Sequence, residues 1–310
     1  MKAIRFHQYG DADVLRFEDA PPPRIADGEL LIKVCSAGVN PADTQFRRGD
    51  YRDFAPLTLP FIPGWDVAGT VESVAAGVSA FKRGDAVFAM TDMSRDGAYA
   101  EYIAVRADHV APAPASLPLE HAAGVPLAAL TAWQALFDVA DLQAGQSVLI
   151  HAGAGGVGLF AIQLARRAGA HVISTASAAN HALLREIGAH RTIYYRAGDF
   201  AAGLEPLDVV LDTIGGATRE RSWPLLRPGG VLVAIAMPPP DEATAAQHRV
   251  RAAMAMVQPN GARLAEIGAL VDAGALKLVI DREFPLGEAA AAHRHSEARH
   301  ARGKIILRVA

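Results

Sequence analysis

The stretch "VLIHAGAGGVGLFAIQLARRAG", Val148 to Gly169, places Gly153, Gly155 and Gly158 in the spacing G-x-G-x-x-G. Strand-like apolar residues precede the glycines and apolar residues at helical spacing follow them, which is the context a dinucleotide-binding fingerprint requires. Gly153 is expected to permit the tight turn and Gly155 to let the backbone approach a pyrophosphate. Gly158 is expected to let the helix pack against its strand. Gly156 and Val157 complete the loop, where a helix N-terminus offers free N–H groups and the positive end of its dipole. Without these flanks the motif is an ordinary glycine-rich turn; the β-α-β pattern around it argues for the phosphate cradle.

Which dinucleotide fits depends on the end of the next strand, "HVISTASAAN". An NAD site usually places Asp or Glu about 20 residues beyond the fingerprint to accept from the ribose 2′-hydroxyl. Here no acidic residue lies between Asp141 and Glu186. The absence of a repelling carboxylate permits a 2′-phosphate, with Ser177, Asn180 and His181 as donors. Tyr195 and Arg196, at the end of the third strand, fall on the same edge of a doubly wound sheet and add a phenol and a fixed positive charge. NADP is therefore the expected coenzyme, with Tyr195 as a half-buried strand residue the plainer alternative.

Metal-ligating patterns are sparse. Cys35 is the single cysteine, so an intramolecular disulfide and a four-cysteine site are both excluded. "HRHSEARH" sets His293, Glu297 and His300 at i, i+4 and i+7, a spacing read here as a solvated histidine-rich helix face and not as a metal site. With 30 Lys+Arg against 33 Asp+Glu, the net charge of -3 carries no footprint for nucleic acid or an acidic membrane surface. The longest span without Asp, Glu, Lys or Arg, Leu142 to Ala165, is broken by five glycines and three glutamines and is not read as membrane-spanning. The opening "MKAIRFHQYG" lacks the apolar core of a secretory signal, so a cytoplasmic protein acting on a small molecule is expected.

A chain of 310 residues favours two domains. Up to about Pro118, short apolar runs such as "ELLIKVCSAGV", "VAGTVESV" and "DAVFAM" alternate with turn signals, which predicts an antiparallel β-barrel. From about Glu120 strands alternate with helices, "SVLIHA", "GLFAIQLARRAG", "HVISTA", "HALLREIG", "RTIYY", "DVVLDTI", "SWPLLRPGG" and "VLVAIA", which predicts a parallel sheet with right-handed crossovers. "MPPPDE" punctuates the end of that sheet. An amphipathic helix, "GARLAEIGALVDAG", then leads to a last strand, "KIILRV", able to return to the barrel.

The stretches "VNPADTQFRRGDY", "PFIPGWDVAGTVESVAAGVSAFKRGDAVF", "GAYAEY", "AAGVPLAALTAWQAL", "AGAGGVG", "VLDTIGG", "LLRPGGVLVAIA" and "ARGKIILRV" run in order along nearly the whole chain. Together they resemble the medium-chain dehydrogenase/reductases, and among them the zinc-independent quinone reductase (zeta-crystallin-like) branch. The resemblance implies an α/β protein with a GroES-like antiparallel β-barrel domain over residues 1–120 and 261–310. A Rossmann doubly wound parallel sheet domain, binding NADP, would cover 121–260. It also implies a homodimer paired through the outer edge of the Rossmann sheet, near "VLVAIAMPPP".

Departures from the zinc-dependent members bear on the chemistry. Where their first zinc ligand would fall stands Asn40, and where Gly-His-Glu would fall stands Gly64-Trp65-Asp66. No zinc is expected. Without a Lewis acid to stabilise a single alkoxide, an acceptor that delocalises charge is favoured. The expected reaction is hydride transfer from NADPH to a quinone or to the β-carbon of an α,β-unsaturated carbonyl, with hydrogen-bond donors aimed at the oxygen.

Four residues match the family's site. Asn40 precedes Pro41 as a helix N-cap and, by resemblance, lies beside the nicotinamide. Asp43 either orients Asn40 or favours the first helical turn. Tyr51 is either the donor facing the substrate oxygen or a loop aromatic. Thr131 either faces the nicotinamide or packs the helix that holds Trp133. Two other readings remain open: an enoyl-thioester reductase on the same scaffold, and a non-catalytic NADPH-binding redox sensor or structural protein.

Overall fold

A computed structural model describes residues 1–309. Along the chain come β1 (Lys2–Arg5), β2 (Arg16–Asp19), β3 (Glu29–Val39), α1 (Pro41–Arg48), β4 (Asp66–Val74), β5 (Ala86–Met90), β6 (Tyr102–Arg106), β7 (Val110–Pro112) and α2 (Leu119–Ala122). There follow α3 (Pro126–Trp133), β8 (Ser147–Ile150), α4 (Gly156–Arg167), β9 (His171–Ala176), α5 (His181–Glu186), β10 (Arg191–Tyr194), β11 (Leu207–Asp212), α6 (Gly216–Glu220), β12 (Leu226–Ala234), α7 (Glu242–Gln247) and β13 (Arg251–Met254). The chain ends with α8 (Gly261–Asp272), β14 (Ile280–Pro285), α9 (Ala289–Glu297) and β15 (Lys304–Arg308). Two compact units result, one of Met1–Leu127 with Pro259 onward, the other of Ala128–Gln258.

The first unit is built on a seven-stranded sheet in the order β14-β15-β3-β4-β5-β7, with β6 also paired to β3. β3 carries this sheet because its apolar run is long enough to pair antiparallel with β4, β6 and β15. Its alternate side chains, Leu30, Ile32 and Val34, enter a core with Val67, Val87, Ile103, Ile305 and Leu307. β15 is the strand "KIILRV" foresaw, returning from the chain's far end to pair with β3. One pair departs from the antiparallel expectation: β14 and β15 run parallel, joined by the α9 crossover.

The second unit is a six-stranded sheet in the order β10-β9-β8-β11-β12-β13, and all its ladders are parallel. Numbered within the unit this is the order 3-2-1-4-5-6 of the doubly wound Rossmann fold, in which ligands bind at the carboxyl ends of the strands where the order reverses. The reversal lies between β8 and β11.

Two elements differ from expectation. "SWPLLRPGG" is no α-helix: a single 3-10 turn at Trp223–Leu225 runs straight into β12. "VLVAIA" is not the outer strand, because β12 is flanked by β11 and β13, and the edge strand on that side is β13. Among the described residues no helix is long and apolar enough to cross a membrane.

Candidate functional site

β8 ends at Ile150, and α4 begins six residues later with Gly155 as its N-cap. Gly156, Val157 and Gly158 are its first three residues, whose N–H groups have no partner inside the helix. Gly158 must be glycine, since a Cβ there would come within 2.6 Å of the Ala152 carbonyl and 2.7 Å of Gly153 Cα. At Gly155 a Cβ would meet only the Ala152 carbonyl, at 3.3 Å, so the side facing outward is open for close approach of a ligand. The expectation for Gly153 needs correction. The left-handed residue of the turn is Ala152, at φ 49°, and Gly153 is required because a Cβ would stand 2.0 Å from Ser174 Oγ. The bare N–H groups and the open glycine face fit a dinucleotide pyrophosphate.

Along the same edge, Tyr194 is in register with Ala176, so Tyr195 and Arg196 follow β10 beside Ser177, which follows β9. Tyr195 is 44% exposed, and the Arg196 guanidinium lies 5.4 Å from its ring centroid. Asn180 donates to Ser177 Oγ at 3.1 Å, which leaves the serine proton to be donated elsewhere. His181 is turned back toward the Ala176 carbonyl. Thr131 lies in this unit, buried within α3.

In the first unit Asn40 and Asp43 close the first turn of α1. Asp43 Oδ2 accepts from Asn40 N at 2.7 Å, and Asp43 N donates to the Asn40 carbonyl at 3.0 Å. The Asn40 side chain meets a buried ion pair, Lys304 with Asp66, that residue types and spacing do not reveal. Its Nδ2 donates to Asp66 Oδ2 at 2.8 Å and its Oδ1 accepts from Lys304 Nζ. Lys304 Nζ also donates to Asp66 Oδ2 at 3.0 Å, while Asp66 Oδ1 accepts from Leu127 N at 2.6 Å. Gly38, opposite Asp66 on β3, makes room: a Cβ would stand 2.7 Å from Asp66 Oδ2. The available signals are a lysine opening the apolar run of "KIILRV", and the aspartate of "PGWD".

Behind Asp43 stand Tyr99 and His293. Tyr99 donates to Asp43 Oδ2 at 3.0 Å, and His293 Nε2 lies 3.3 Å from the phenol oxygen. Burial raises the Asp43 pKa to about 7, aided by the Asp66 charge and opposed by the Asn40 N–H. Burial also drives Tyr99 well above its usual range and holds His293 down at about 3, so the imidazole is neutral. The histidine-rich face is therefore not a solvated one. His293 is fully buried, His295 pairs with Asp281, and Glu297 pairs with Arg47 and Arg48; only His300 is left in the open.

Tyr51 lies beyond the other end of α1. Its hydroxyl donates to Gln45 Oε1 at 2.8 Å, and its ring packs edge-on to Phe46 at 5.0 Å. Burial raises its pKa, with Asp50 adding to the effect. Phe46 in turn meets Trp65, next to Asp66.

A zinc ion does not fit this cluster. Both Asp66 oxygens are taken by donors, one of them an ammonium, and among the described residues no three His, Cys, Asp or Glu side chains converge as ligands.

Comparison with known proteins agrees with this architecture. Residues 26–115 match the alcohol dehydrogenase GroES-like domain, and residues 187–307 match the family described as zinc-binding dehydrogenase. A quinone oxidoreductase of Rattus norvegicus is 35% identical over 99% of this chain and 97% of its own. An NADPH-dependent alkenal/one oxidoreductase of Arabidopsis thaliana, chloroplastic, is 34% identical over 99% of this chain and 79% of its own. Among solved structures, the quinone oxidoreductase of Coxiella burnetii superposes with a TM-score of 0.92 at 36% identity, covering 100% of this chain and 99% of that one. A mycobacterial protein solved in complex with NADPH gives 0.88 at 33% identity, with 100% of both chains covered. The chain belongs to the medium-chain dehydrogenase/reductase superfamily, in its zinc-independent quinone reductase branch.

Proposed function

We propose that this oxidoreductase uses NADPH to reduce quinones and α,β-unsaturated carbonyls, and that it does so without zinc. The observation that carries the reading is the Lys304–Asp66–Asn40 triangle, in which Asn40 and Asp66, at positions that the resemblance matches to zinc ligands of the zinc-dependent members, are bonded to each other and to an ammonium. The names of the relatives, quinone oxidoreductase and alkenal/one oxidoreductase, point to the same class of acceptor.

Reduced nicotinamide supplies the hydride when bound. The chain's own part is to bind, orient and stabilise. Gly153, Gly155, Gly156, Val157 and Gly158 form the pyrophosphate cradle, with the N–H groups of Gly156, Val157 and Gly158 as its donors. Ser177, Tyr195 and Arg196 hold the 2′-phosphate: a hydroxyl with a free proton, a phenol and a permanent cation on one sheet edge. Asn40 spends one amide proton on Asp66, and its carbonyl is held by Lys304, so its second amide proton is what it offers a ligand. Asp43 braces the Asn40 main chain. Tyr51 donates to the acceptor oxygen, and Thr131 supports the nicotinamide. The edge strand β13 pairs two copies into a homodimer.

The experiment mixes purified protein with NADPH and a panel of quinones, enones and enoyl thioesters and follows absorbance of the reduced nicotinamide. Oxidation with quinones or enones is the expected result. Oxidation with thioesters alone makes the protein an enoyl-thioester reductase, and NADPH binding with no oxidation makes it a sensor.

A further inference from the structure

Ala152, not a glycine, takes the left-handed turn out of β8, at φ 49°. A residue with a Cβ occupies that region at a cost glycine does not bear, so something must hold it there. Thr175, near the end of β9, makes two bonds to the loop. Its side-chain Oγ1 accepts from Ala152 N at 3.2 Å and its main-chain oxygen accepts from Gly153 N at 2.9 Å.

The direction of the Thr175 hydroxyl is fixed by a buried chain of hydrogen bonds. Ser222 Oγ lies 2.7 Å from the Thr218 carbonyl, which only accepts, so the serine proton goes there. His151 Nε2, 2.9 Å from Ser222 Oγ, must then be the donor of that pair. Burial holds the His151 pKa down at about 4, so the ring is neutral and Nδ1 is bare. Thr175 Oγ1, 3.2 Å from Nδ1, therefore donates its proton to it and keeps its lone pairs for Ala152 N–H.

We propose that Thr175 is a positioning residue, oriented by His151 and Ser222, which holds the glycine loop in its dinucleotide-binding shape against the strain at Ala152. The inference rests on the reading of this loop as the NADPH cradle. Preorganisation of this kind saves the ligand the cost of ordering the loop.

The test is Thr175→Val, which keeps the side-chain shape and removes Oγ1. NADPH affinity, read by tryptophan fluorescence quenching, is expected to weaken about 10-fold, as for one lost hydrogen bond. In turnover assays KM for NADPH rises while kcat holds. Thr175→Ser, which keeps the hydroxyl, binds as the wild type does. Ala152→Gly introduced into Thr175→Val recovers affinity, because glycine takes the left-handed turn without strain, a rescue that a general loss of fold would not show. Folded Thr175→Val with wild-type affinity, or a double variant no better than Thr175→Val alone, would overturn the proposal while leaving NADPH binding intact. Wild-type protein indifferent to NADPH would overturn the cradle reading and this proposal with it.

Discussion

Lys304 and Asp66 form a buried ion pair, Nζ to Oδ2 at 3.0 Å, with side-chain exposures of 4% and 0%. Neither charge has bulk water to fall back on, so each depends on the other. Lys304→Met leaves the Asp66 charge without its counter-ion and is expected to cost about 3–5 kcal/mol of stability, whereas the double change Lys304→Met, Asp66→Asn, which removes the stranded charge and keeps an acceptor for Leu127 N, is expected to recover a large part of it. Chemical denaturation of the three variants measures this. A double variant no more stable than Lys304→Met would show that the pair is not the unit at work.

Tyr51 holds its proton for Gln45 in the absence of ligand. If it turns that proton toward an acceptor oxygen, Tyr51→Phe lowers kcat/KM on an enone about 10- to 1000-fold, the range for a lost oxyanion donor. Steady-state kinetics on one enone decide it, and an unchanged value removes Tyr51 from the mechanism.

Arg196 has an aromatic ring beneath it, and among the described residues no carboxylate pairs with it. Arg196→Ala is expected to weaken NADPH about 10- to 100-fold, as for a lost charge-assisted contact, and to leave NADH binding unchanged. Titration with both coenzymes tests this; equal losses would defeat the 2′-phosphate assignment.

The buried titratable groups set a pH dependence of stability. His293 and His151, with native pKa values of about 3 and about 4 against the usual 6.5, bind protons only in the unfolded chain as pH falls below 6.5, so each destabilises the fold on acidification. Between pH 7 and pH 5 each contributes a loss of about 2 kcal/mol. Asp43 acts oppositely: its native pKa of about 7 against 3.8 means that the folded state binds the extra proton in that window, which stabilises it by a similar amount. Asp43→Asn removes the opposing term and should steepen the acid loss. Melting temperatures of wild type and variant across this window test the sign, and parallel curves would refute it.

How much of this was legible in the sequence follows from the distance over which each feature is decided. The strand, turn and helix of β8 and α4 are legible as a local pattern, because their signals all fall within one window. The parallel pairing of the second sheet follows from the alternation of strands and helices, whereas its strand order does not, because that is set by which neighbours pair across the whole unit. The edge strand β13 was missed because four residues, "RAAM", carry little periodicity of their own. His293 was misjudged because its burial is decided by Tyr99, 194 residues away. Lys304 meets Asn40 and Asp66 across 264 and 238 residues, so only the return of β15 to β3 brings the three together. The strain at Ala152 was hidden because the neighbouring glycine was the natural residue to credit with the turn.

The central claim is that reduced nicotinamide gives its hydride to conjugated acceptors here without a metal ion. The most direct measurement is NADPH oxidation by protein dialysed against a strong chelator, with a quinone, an enone and a simple ketone compared side by side. Undiminished turnover of the quinone or enone with none of the ketone is the predicted result. Activity that disappears with the chelator and returns with zinc, or a preference for the simple ketone, would contradict it.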